Sequence, residues 1–183
     1  MKLPNIKILN EKEKLLHLKS KDVVFPLSED DKKKLNDMIL YLKLSQDDEY
    51  IEKYNLRAGM GLSLVQVGDA RRAFVIANEK DDKTFEEHII INPKIISQSE
   101  ELIFVGEGEG CLSVNRAVEG IVPRNARINI TYQDIDGNEK KMRAREELSI
   151  AFQHEIDHLN GILFVDRIDP KNPYKNKEKM REI

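Results

Sequence analysis

The sequence predicts one α+β domain, in which mostly antiparallel strands surround a central helix and one further helix lies near the N-terminus. Apolar residues recur at helical spacing in two stretches, over residues 35–42 and 146–159. Short β-branched runs bounded by polar turns occupy much of the chain between and after these stretches. The 183 residues are enough for one hydrophobic core, and we expect residues 171–183 to be a polar tail of that single domain.

Composition excludes several classes of protein. With 40% hydrophobic and 34% charged residues, the chain is typical of a globular protein. Its net charge of -3 argues against a dedicated nucleic-acid-binding protein, and no apolar run is as long as a membrane span. The N-terminal residues lack the pattern of a signal peptide, and the single cysteine, Cys111, excludes an intramolecular disulfide. We therefore expect a cytoplasmic protein with no membrane attachment.

The first helix has a clear start signal. Ser28 can accept a hydrogen bond from the amides of the first turn, and the acidic residues 29–31 favour the positive end of the helix dipole. The apolar stripe of this helix comprises Leu35, Met38, Ile39 and Leu42. Polar residues 45–49 end the helix, and we expect a short helical segment around residues 50–53.

The β region follows. We predict strands over residues 73–77, 88–92, 94–97, 101–105 and 127–132. An Asp-Gly pair at 136–137 predicts a hairpin turn that returns the chain through residues 141–143. After the second helix, the apolar run 162–165 predicts one more short strand.

Two glycine-rich segments interrupt these elements. Gly59 and Gly61 mark backbone that turns tightly or approaches another group closely, and residues 106–110 contain three alternating glycines. The spacing of Gly59 and Gly61 does not match a phosphate-binding loop. Gln66 lies nearby in an apolar run, where it is either a hydrogen-bonded core amide or a donor directed into a site; residue type and position by themselves favour the core amide.

The central helix carries the strongest chemical signal. His154 and His158 are one turn apart, so both project from one face of the helix, and Glu155 flanks that face. Two imidazoles and a carboxylate at this spacing form an HExxH motif, which is typical of a metal site that activates water. Phe152, Ile156 and Leu159 form an apolar opposite face. The alternative is a partly exposed helix that carries two histidines without a metal.

A catalytic metal usually needs a third protein ligand. Cys111 is a candidate, because a thiolate binds Zn(II) or Fe(II) strongly. The alternative for Cys111 is a small buried apolar residue, although its glycine-rich surroundings are unusual for one. We therefore hypothesise a site formed by Cys111, His154 and His158, with Glu155 as the base.

Three ordered segments resemble the motifs of the peptide deformylase family. They are Gly59–Leu62 with Gln66, Glu109–Ser113, and Gln153–His158. The resemblance extends from about residue 24 to 168, and the insert over residues 45–57 resembles the longer class of Gram-positive bacteria and mollicutes. It implies a hydrolase that removes the formyl group from the N-terminal methionine of nascent polypeptides, with transient contact to the ribosome as an open question.

The resemblance also implies roles for the site residues. The implied metal ligands are Cys111, His154 and His158, binding Fe(II) in the cell with Zn(II), Ni(II) or Co(II) as substitutes. Glu155 would take a proton from metal-bound water, whose hydroxide attacks the formyl carbon, and would pass the proton to the departing amine. The side-chain amide of Gln66 and the backbone N–H of Leu112 would stabilise the developing oxyanion.

Further roles concern the substrate. The resemblance implies that Gly61 and Gly110 bind the substrate backbone and that Ile150 lines the pocket for the methionine side chain. It also implies that Arg124 orders the cysteine loop by pairing with Glu109. The alternative for Arg124 is a solvated surface charge.

The sequence departs from the family pattern at two places. Residues 63–65 are Ser-Leu-Val where two alanines and a variable residue are usual, and Glu146-Glu147 stand where glycine and an apolar residue are usual. Both positions bear on the shape of the substrate pocket.

Two other functions are open: an ordinary HExxH zinc peptidase, with Glu178 or Glu182 as third ligand, and a deformylase-like protein that binds without turnover.

Overall fold

The computed structural model describes all 183 residues and contains three α-helices and eight β-strands. The helices are α1 (Glu29–Ser45), α2 (Asp48–Tyr54) and α3 (Glu146–Leu159). The strands are β1 (Gly61–Ser63), β2 (Ala73–Glu79), β3 (Phe85–Gln98), β4 (Leu102–Phe104), β5 (Arg124–Asn125), β6 (Arg127–Gln133), β7 (Glu139–Arg145) and β8 (Arg181–Glu182). None of the helices combines the length and the apolar composition needed to cross a membrane.

The strands form two sheets. The larger sheet has the order β1-β2-β3-β6-β7, and all its neighbouring strands are antiparallel. The smaller sheet has the order β5-β4-β8, in which β8 runs parallel to β4. The predicted α+β class with mostly antiparallel sheets is therefore confirmed.

Strand β2 shows why the larger sheet carries a helix on each face. Its residues alternate between two apolar clusters: Ala73, Val75 and Ala77 pack in the cluster that contains α1. Phe74 and Ile76 point the other way and pack in the cluster that contains α3. Because successive side chains of a strand point to opposite faces, a continuous apolar run is expected for a strand covered on both sides.

The two long helices are held by different features. At the start of α1, the Ser28 hydroxyl accepts a hydrogen bond from the Asp31 N–H at 3.1 Å, as its sequence predicts. The apolar face of α3 packs on the sheet, where Phe152 meets Phe74 edge-on with ring centroids 5.3 Å apart. This packing leaves the opposite, polar face of α3 directed towards the glycine-rich segments.

The short helical segment expected around residues 50–53 is confirmed as α2. It is separate from α1 because the Asp47 carboxylate caps a new helix by accepting from the N–H groups of Glu49 and Tyr50. Other predicted elements differ from the structure. The strand predicted over residues 162–165 is wrong. A 3-10 helix, Phe164–Arg167, begins there, since the Asp166 carboxylate accepts from the Leu163 N–H at 2.8 Å.

The strands predicted over 88–92 and 94–97 are one strand, β3, with a bulge between them. Asn92 has a φ of 51°, a left-handed conformation that asparagine tolerates better than most residues. Its side chain is tied to Val23, accepting from the Val23 N–H at 2.8 Å. The register of β3 against β6 shifts at this point, between Ile91 and Lys94.

The end of the chain is more ordered than the expected polar tail. Residues Arg181–Glu182 form β8, and the Ile183 N–H donates to the Phe104 carbonyl at 3.0 Å. The Arg181 guanidinium also pairs with Glu101 and Glu146. The last residues thus join the smaller sheet, next to the loop that carries Cys111.

Candidate metal centre

Helix α3 and the loop after β4 bring three possible metal ligands together. The ligand atoms of Cys111, His154 and His158 all lie within 4.8 Å of one another, and all three residues are buried. The Cys111 sulfur and His158 Nε2 are 3.3 Å apart. These are the only three His, Cys, Asp or Glu side chains in the chain that cluster in this way, so neither Glu178 nor Glu182 joins the two histidines.

The chemistry of this cluster fits a divalent transition metal. One sulfur and two imidazoles are ligands that Zn(II) and Fe(II) accept, and a three-ligand site leaves a position open. The pKa of His158 is lowered well below its usual value by burial and by the charge of His154, which favours the neutral imidazole that binds metals. For His154, burial opposes the charged form, but hydrogen bonds with Cys111 and Glu109 outweigh it and raise its pKa. A metal would displace the resulting proton.

The ring of His154 is oriented by contacts behind it. Its Nδ1 hydrogen-bonds to Glu109 Oε2 at 2.8 Å, which directs Nε2 towards the other two ligands. Glu109 in turn accepts two hydrogen bonds from the Arg124 guanidinium, at 2.7 and 2.9 Å. Burial disfavours the charged form of Glu109, yet the bonds from Arg124 and His154 lower its pKa to about 2. Arg124 is therefore a buried partner of Glu109, and the alternative of a solvated surface charge is wrong.

Glu155 lies beside the three ligands as a buried carboxylate. It is 3% exposed, and its Oε2 has no hydrogen-bond partner within the chain. Burial raises the pKa of Glu155 to about 7, with the charge of Glu109 adding to the effect and that of His154 opposing it. Glycine at position 61 leaves room for the Glu155 carboxylate, because a Cβ on residue 61 would lie only 2.4 Å from Glu155 Oε1. A carboxylate with a pKa near neutrality suits proton transfer.

Two hydrogen-bond donors face the same region. The Gln66 carboxamide oxygen accepts from the Ser63 N–H at 2.9 Å and the Ser63 hydroxyl at 3.0 Å, which fixes the amide. Its NH₂ group then faces the Ser113 hydroxyl at 3.1 Å and the Cys111 sulfur at 3.6 Å. The backbone N–H of Leu112 donates no hydrogen bond to another backbone group. Serine at position 63, a departure from the family pattern, thus orients the glutamine.

The predicted site residues surround one cavity of about 320 Å³. Eight of the nine line it, whereas His158 lies buried behind them. The eight are Gly61, Gln66, Gly110, Cys111, Leu112, Ile150, His154 and Glu155. Ile150 packs in a small apolar cluster with Ile103 and Ala126, and Val105 adjoins it at the cavity wall.

The structure also shows residues that sequence reasoning missed. Arg57 lines the cavity and donates to the Cys111 carbonyl at 2.9 Å, which fixes the backbone of the cysteine loop. Asp157 accepts from Arg124 Nη1 at 2.6 Å on the buried side of α3. Glu147 lines the cavity, is exposed and forms no ion pair. A signal for Asp157 was present, because it lies within the HExxH segment at a position that faces neither water nor the apolar cluster.

Comparisons with known proteins identify a family and relatives of this chain. A family model described as polypeptide deformylase matches residues 6–174. Peptide deformylase from Ligilactobacillus salivarius is 46% identical over 169 residues, which cover 91% of this chain and 91% of that protein.

Solved structures are similar as well. The crystal structure of peptide deformylase from Thermotoga maritima has a TM-score of 0.71 and 30% identity, over 90% of this chain and 98% of that one. A class I type b peptide deformylase from Acinetobacter baumannii, crystallised with Met-Ala-Ser bound, has a TM-score of 0.72 and 25% identity, over 91% of this chain and 100% of that one.

Proposed function

This chain belongs to the polypeptide deformylase family, hydrolases that act on the formyl-methionyl amide, and we propose that Cys111, His154 and His158 hold the metal of this reaction. The longer Gram-positive class fits the source of the relatives, such as Ligilactobacillus salivarius. The observation that carries the proposal is the buried cluster of one sulfur and two imidazoles within 4.8 Å, at the wall of a cavity that also contains Glu155. Fe(II) is the proposed metal, with Zn(II), Ni(II) or Co(II) as substitutes.

A divalent cation held by these ligands would acidify a water molecule and polarise the formyl carbonyl. Glu155 then performs the proton transfers. Its carboxylate takes a proton from water as the water oxygen bonds to the formyl carbon. The same carboxyl group returns the proton to the amide nitrogen as the C–N bond breaks, so the products are formate and a free N-terminal amine. In the metal-free protein, burial raises the pKa of Glu155 to about 7.

The oxyanion that develops at the formyl oxygen needs donors. Two hydrogen-bond donors are available to it: the Gln66 NH₂ group, which is fixed by Ser63, and the Leu112 backbone N–H. Both lie next to Cys111, and so beside the metal ligands. Donors held in place before the reaction stabilise charge without the cost of reorganising water.

The cavity also fits the substrate. The side chain of Ile150 and its apolar neighbours offer a pocket for the methionine side chain. Gly61 and Gly110 present backbone without a side chain, which allows the substrate backbone to approach. The Met-Ala-Ser bound to the Acinetobacter baumannii enzyme is a peptide with an N-terminal methionine, and it supports a peptide of this length as substrate here.

Substitution of Glu155 tests the mechanism. In metal-loaded Glu155→Gln, formate release from formyl-Met-Ala-Ser should fall by at least about 10²-fold, because an amide cannot accept the proton. Metal content measured by elemental analysis should stay at the wild-type level, since Glu155 is not a ligand. Glu178→Gln, at an exposed position, is the matched control and should retain the wild-type rate. A rate near wild type in metal-replete Glu155→Gln would remove Glu155 from the mechanism.

Substitution of Cys111 tests the ligand set. Cys111→Ser should lose most of its bound metal, because a neutral hydroxyl is a much weaker ligand than a thiolate. Full metal content and activity in Cys111→Ser would show that the third ligand is another group.

A further inference from the structure

The 3-10 helix Phe164–Arg167 contacts the metal-binding helix at two points. The Phe164 ring stacks against the His154 imidazole, with centroids 6.0 Å apart and planes 23° from parallel. At the other end of the segment, Arg167 donates through Nε and Nη2 to the two oxygens of Asp157. One short segment therefore supports α3 by an apolar contact and by an ion pair.

The ion pair is the outer end of a network of charged side chains that extends into the interior. Asp157 accepts from Arg124 at 2.6 Å, Arg124 holds Glu109 at 2.7 and 2.9 Å, and Glu109 holds His154 Nδ1 at 2.8 Å. The three inner side chains are almost completely buried, at 2–5% exposure. Arg167 is the outer member, with its side chain 41% exposed. The network thus extends from solvent, at Arg167, to the proposed metal ligand His154.

The two guanidinium groups and the two carboxylates of this network balance in charge only when Arg167 is included. Glu109 has two partners, Arg124 and His154. Without Arg167, the buried Asp157 would have Arg124 as its one cationic partner, and Arg124 would be shared between both carboxylates. Electrostatic attraction is strong in a poorly solvated interior, so Asp157 would then compete with Glu109 for Arg124.

We propose that Arg167 is a positioning residue for the metal centre. By neutralising Asp157, it leaves Arg124 bound through two nitrogens to Glu109, and Glu109 then fixes the orientation of the His154 imidazole. The inference rests on the proposed metal site, and it adds a residue that touches neither metal nor substrate. The planar fork of arginine matches both oxygens of Asp157, which a lysine ammonium cannot do.

Zn(II) affinity of the full chain, measured by competition with a chelator, tests this role. Arg167→Gln should weaken Zn(II) binding by about 10-fold, the lower end of the range for residues that orient a ligand from behind. Arg167→Lys should restore part of the loss, because it keeps the charge but not the fork. The matched control is Arg71→Gln, since Arg71 also binds a carboxylate through two nitrogens and is 34% exposed, but its partners do not touch the ligands.

Thermal unfolding of the metal-free variants separates positioning from general stability. Arg167→Gln removes one ion pair of a partly exposed arginine, with Asp157, and Arg71→Gln removes two, with Asp31 and Asp69. Each variant should therefore lower Tm by a small amount, with the loss in Arg167→Gln no larger than that in Arg71→Gln. Only Arg167→Gln should lose Zn(II) affinity. Equal Zn(II) affinity in the two variants would overturn the proposal, as would a loss in Arg167→Gln that merely follows a large drop in Tm.

A double substitution tests whether the effect passes through Glu109. In a Glu109→Gln background the last ionic link is already cut, so Arg167→Gln should change Zn(II) affinity by less than 2-fold, compared with about 10-fold in wild type. An undiminished effect in that background would overturn the proposed route. Wild-type protein that fails to bind Zn(II) would overturn the metal centre itself, an outcome distinct from a failure of Arg167 alone.

Discussion

Two arginines in this molecule each hold a pair of carboxylates with nearly the same geometry. They are Arg124 with Glu109 and Asp157, and Arg71 with Asp31 and Asp69. Hydrogen-bond distances in both sets lie between 2.6 and 2.9 Å. The difference is solvation: the Arg124 side chain is 2% exposed and that of Arg71 is 34% exposed. The hydrogen-bond distances of the two sets are therefore similar, although the free energies of their ion pairs differ.

The carboxylate pKa values show how burial changes the balance. Glu109 and Asp31 both have a pKa lowered to about 2. For Glu109, burial is the largest influence and raises the pKa, so the hydrogen bonds from Arg124 and His154 must overcome it. For Asp31, the hydrogen bond from Arg71 is the largest influence, and burial opposes it less. In the buried set every partner is needed, whereas water can replace a partner in the exposed set.

Removal of each arginine gives the largest expected contrast. Arg124→Met should lower the free energy of unfolding by about 3–5 kcal/mol, because it leaves two buried carboxylates without their shared cation. Arg71→Met, the matched surface variant, should cost about 1 kcal/mol or less. Urea denaturation of the metal-free proteins measures both. Similar losses in the two variants would show that burial does not distinguish the sets.

A neutral version of the buried set sharpens this prediction. If the cost of Arg124→Met comes from unpaired charge, the triple variant Arg124→Met, Glu109→Gln, Asp157→Asn should be more stable than the single variant. If the triple variant is less stable than Arg124→Met, the loss must come from packing instead. Arg167 would remain as a half-exposed cation in the triple variant, where water solvates it.

Much of the fold could be predicted because its signals are local. The Ser28 cap, the apolar stripe of α1, the Asp-Gly turn and the periodicity of residues 146–159 each depend on neighbouring residues, and the structure contains all of them. The run 162–165 was ambiguous, because four apolar residues suit a strand or a turn of helix. Only the contact between Asp166 and the Leu163 N–H decides it.

The candidate site divides in the same way. His154, Glu155 and His158 follow from helical spacing, and Cys111 follows from being the single thiol in a glycine-rich segment. The pairing of Arg124 with Glu109 came from the resemblance to a family. Nothing local indicates that Arg124 also reaches Asp157, 33 positions away. Glu146 illustrates another limit: it has a φ of 50° at a position where the family pattern has glycine, and this backbone conformation became visible only in the structure.

The pH dependence of Asp31 tests the exposed set more finely. Its folded-state pKa of about 2 is lower than the ordinary value of 3.8, so ionised Asp31 stabilises the fold above pH 3.8. That contribution is lost as pH falls through about 2. Asp31→Asn should therefore be less stable than wild type at pH 7, by roughly 1 kcal/mol or less, and the difference should shrink between pH 4 and pH 2. A difference that is the same at pH 7 and pH 2 would mean that charge is not its cause.

Glu147 extends the comparison to a carboxylate with no cationic partner. It lies at the cavity wall, exposed, near the start of α3. One interpretation is a charged first turn that interacts only with the helix dipole. The other is a negative rim that favours substrates with lysine or arginine after the methionine. Because water can replace a partner of an exposed charge, as it can around Arg71, removing the charge of Glu147 should have a small effect on substrate preference in either case.

The test is the ratio of kcat/KM for formyl-Met-Lys and formyl-Met-Glu peptides, in wild type and in Glu147→Gln. A negative rim predicts that Glu147→Gln lowers the Lys/Glu ratio, by an amount near the lower end of about 0.2–1 kcal/mol. The shift should diminish as salt is added, because ions screen exposed charges over about 10 Å at 0.1 M. An unchanged ratio at low salt would mean that Glu147 interacts with the helix dipole and does not influence the choice of substrate. A shift well above 1 kcal/mol that persists in high salt would mean that substrate binding buries Glu147 against the peptide, and the charge would then behave like those around Arg124.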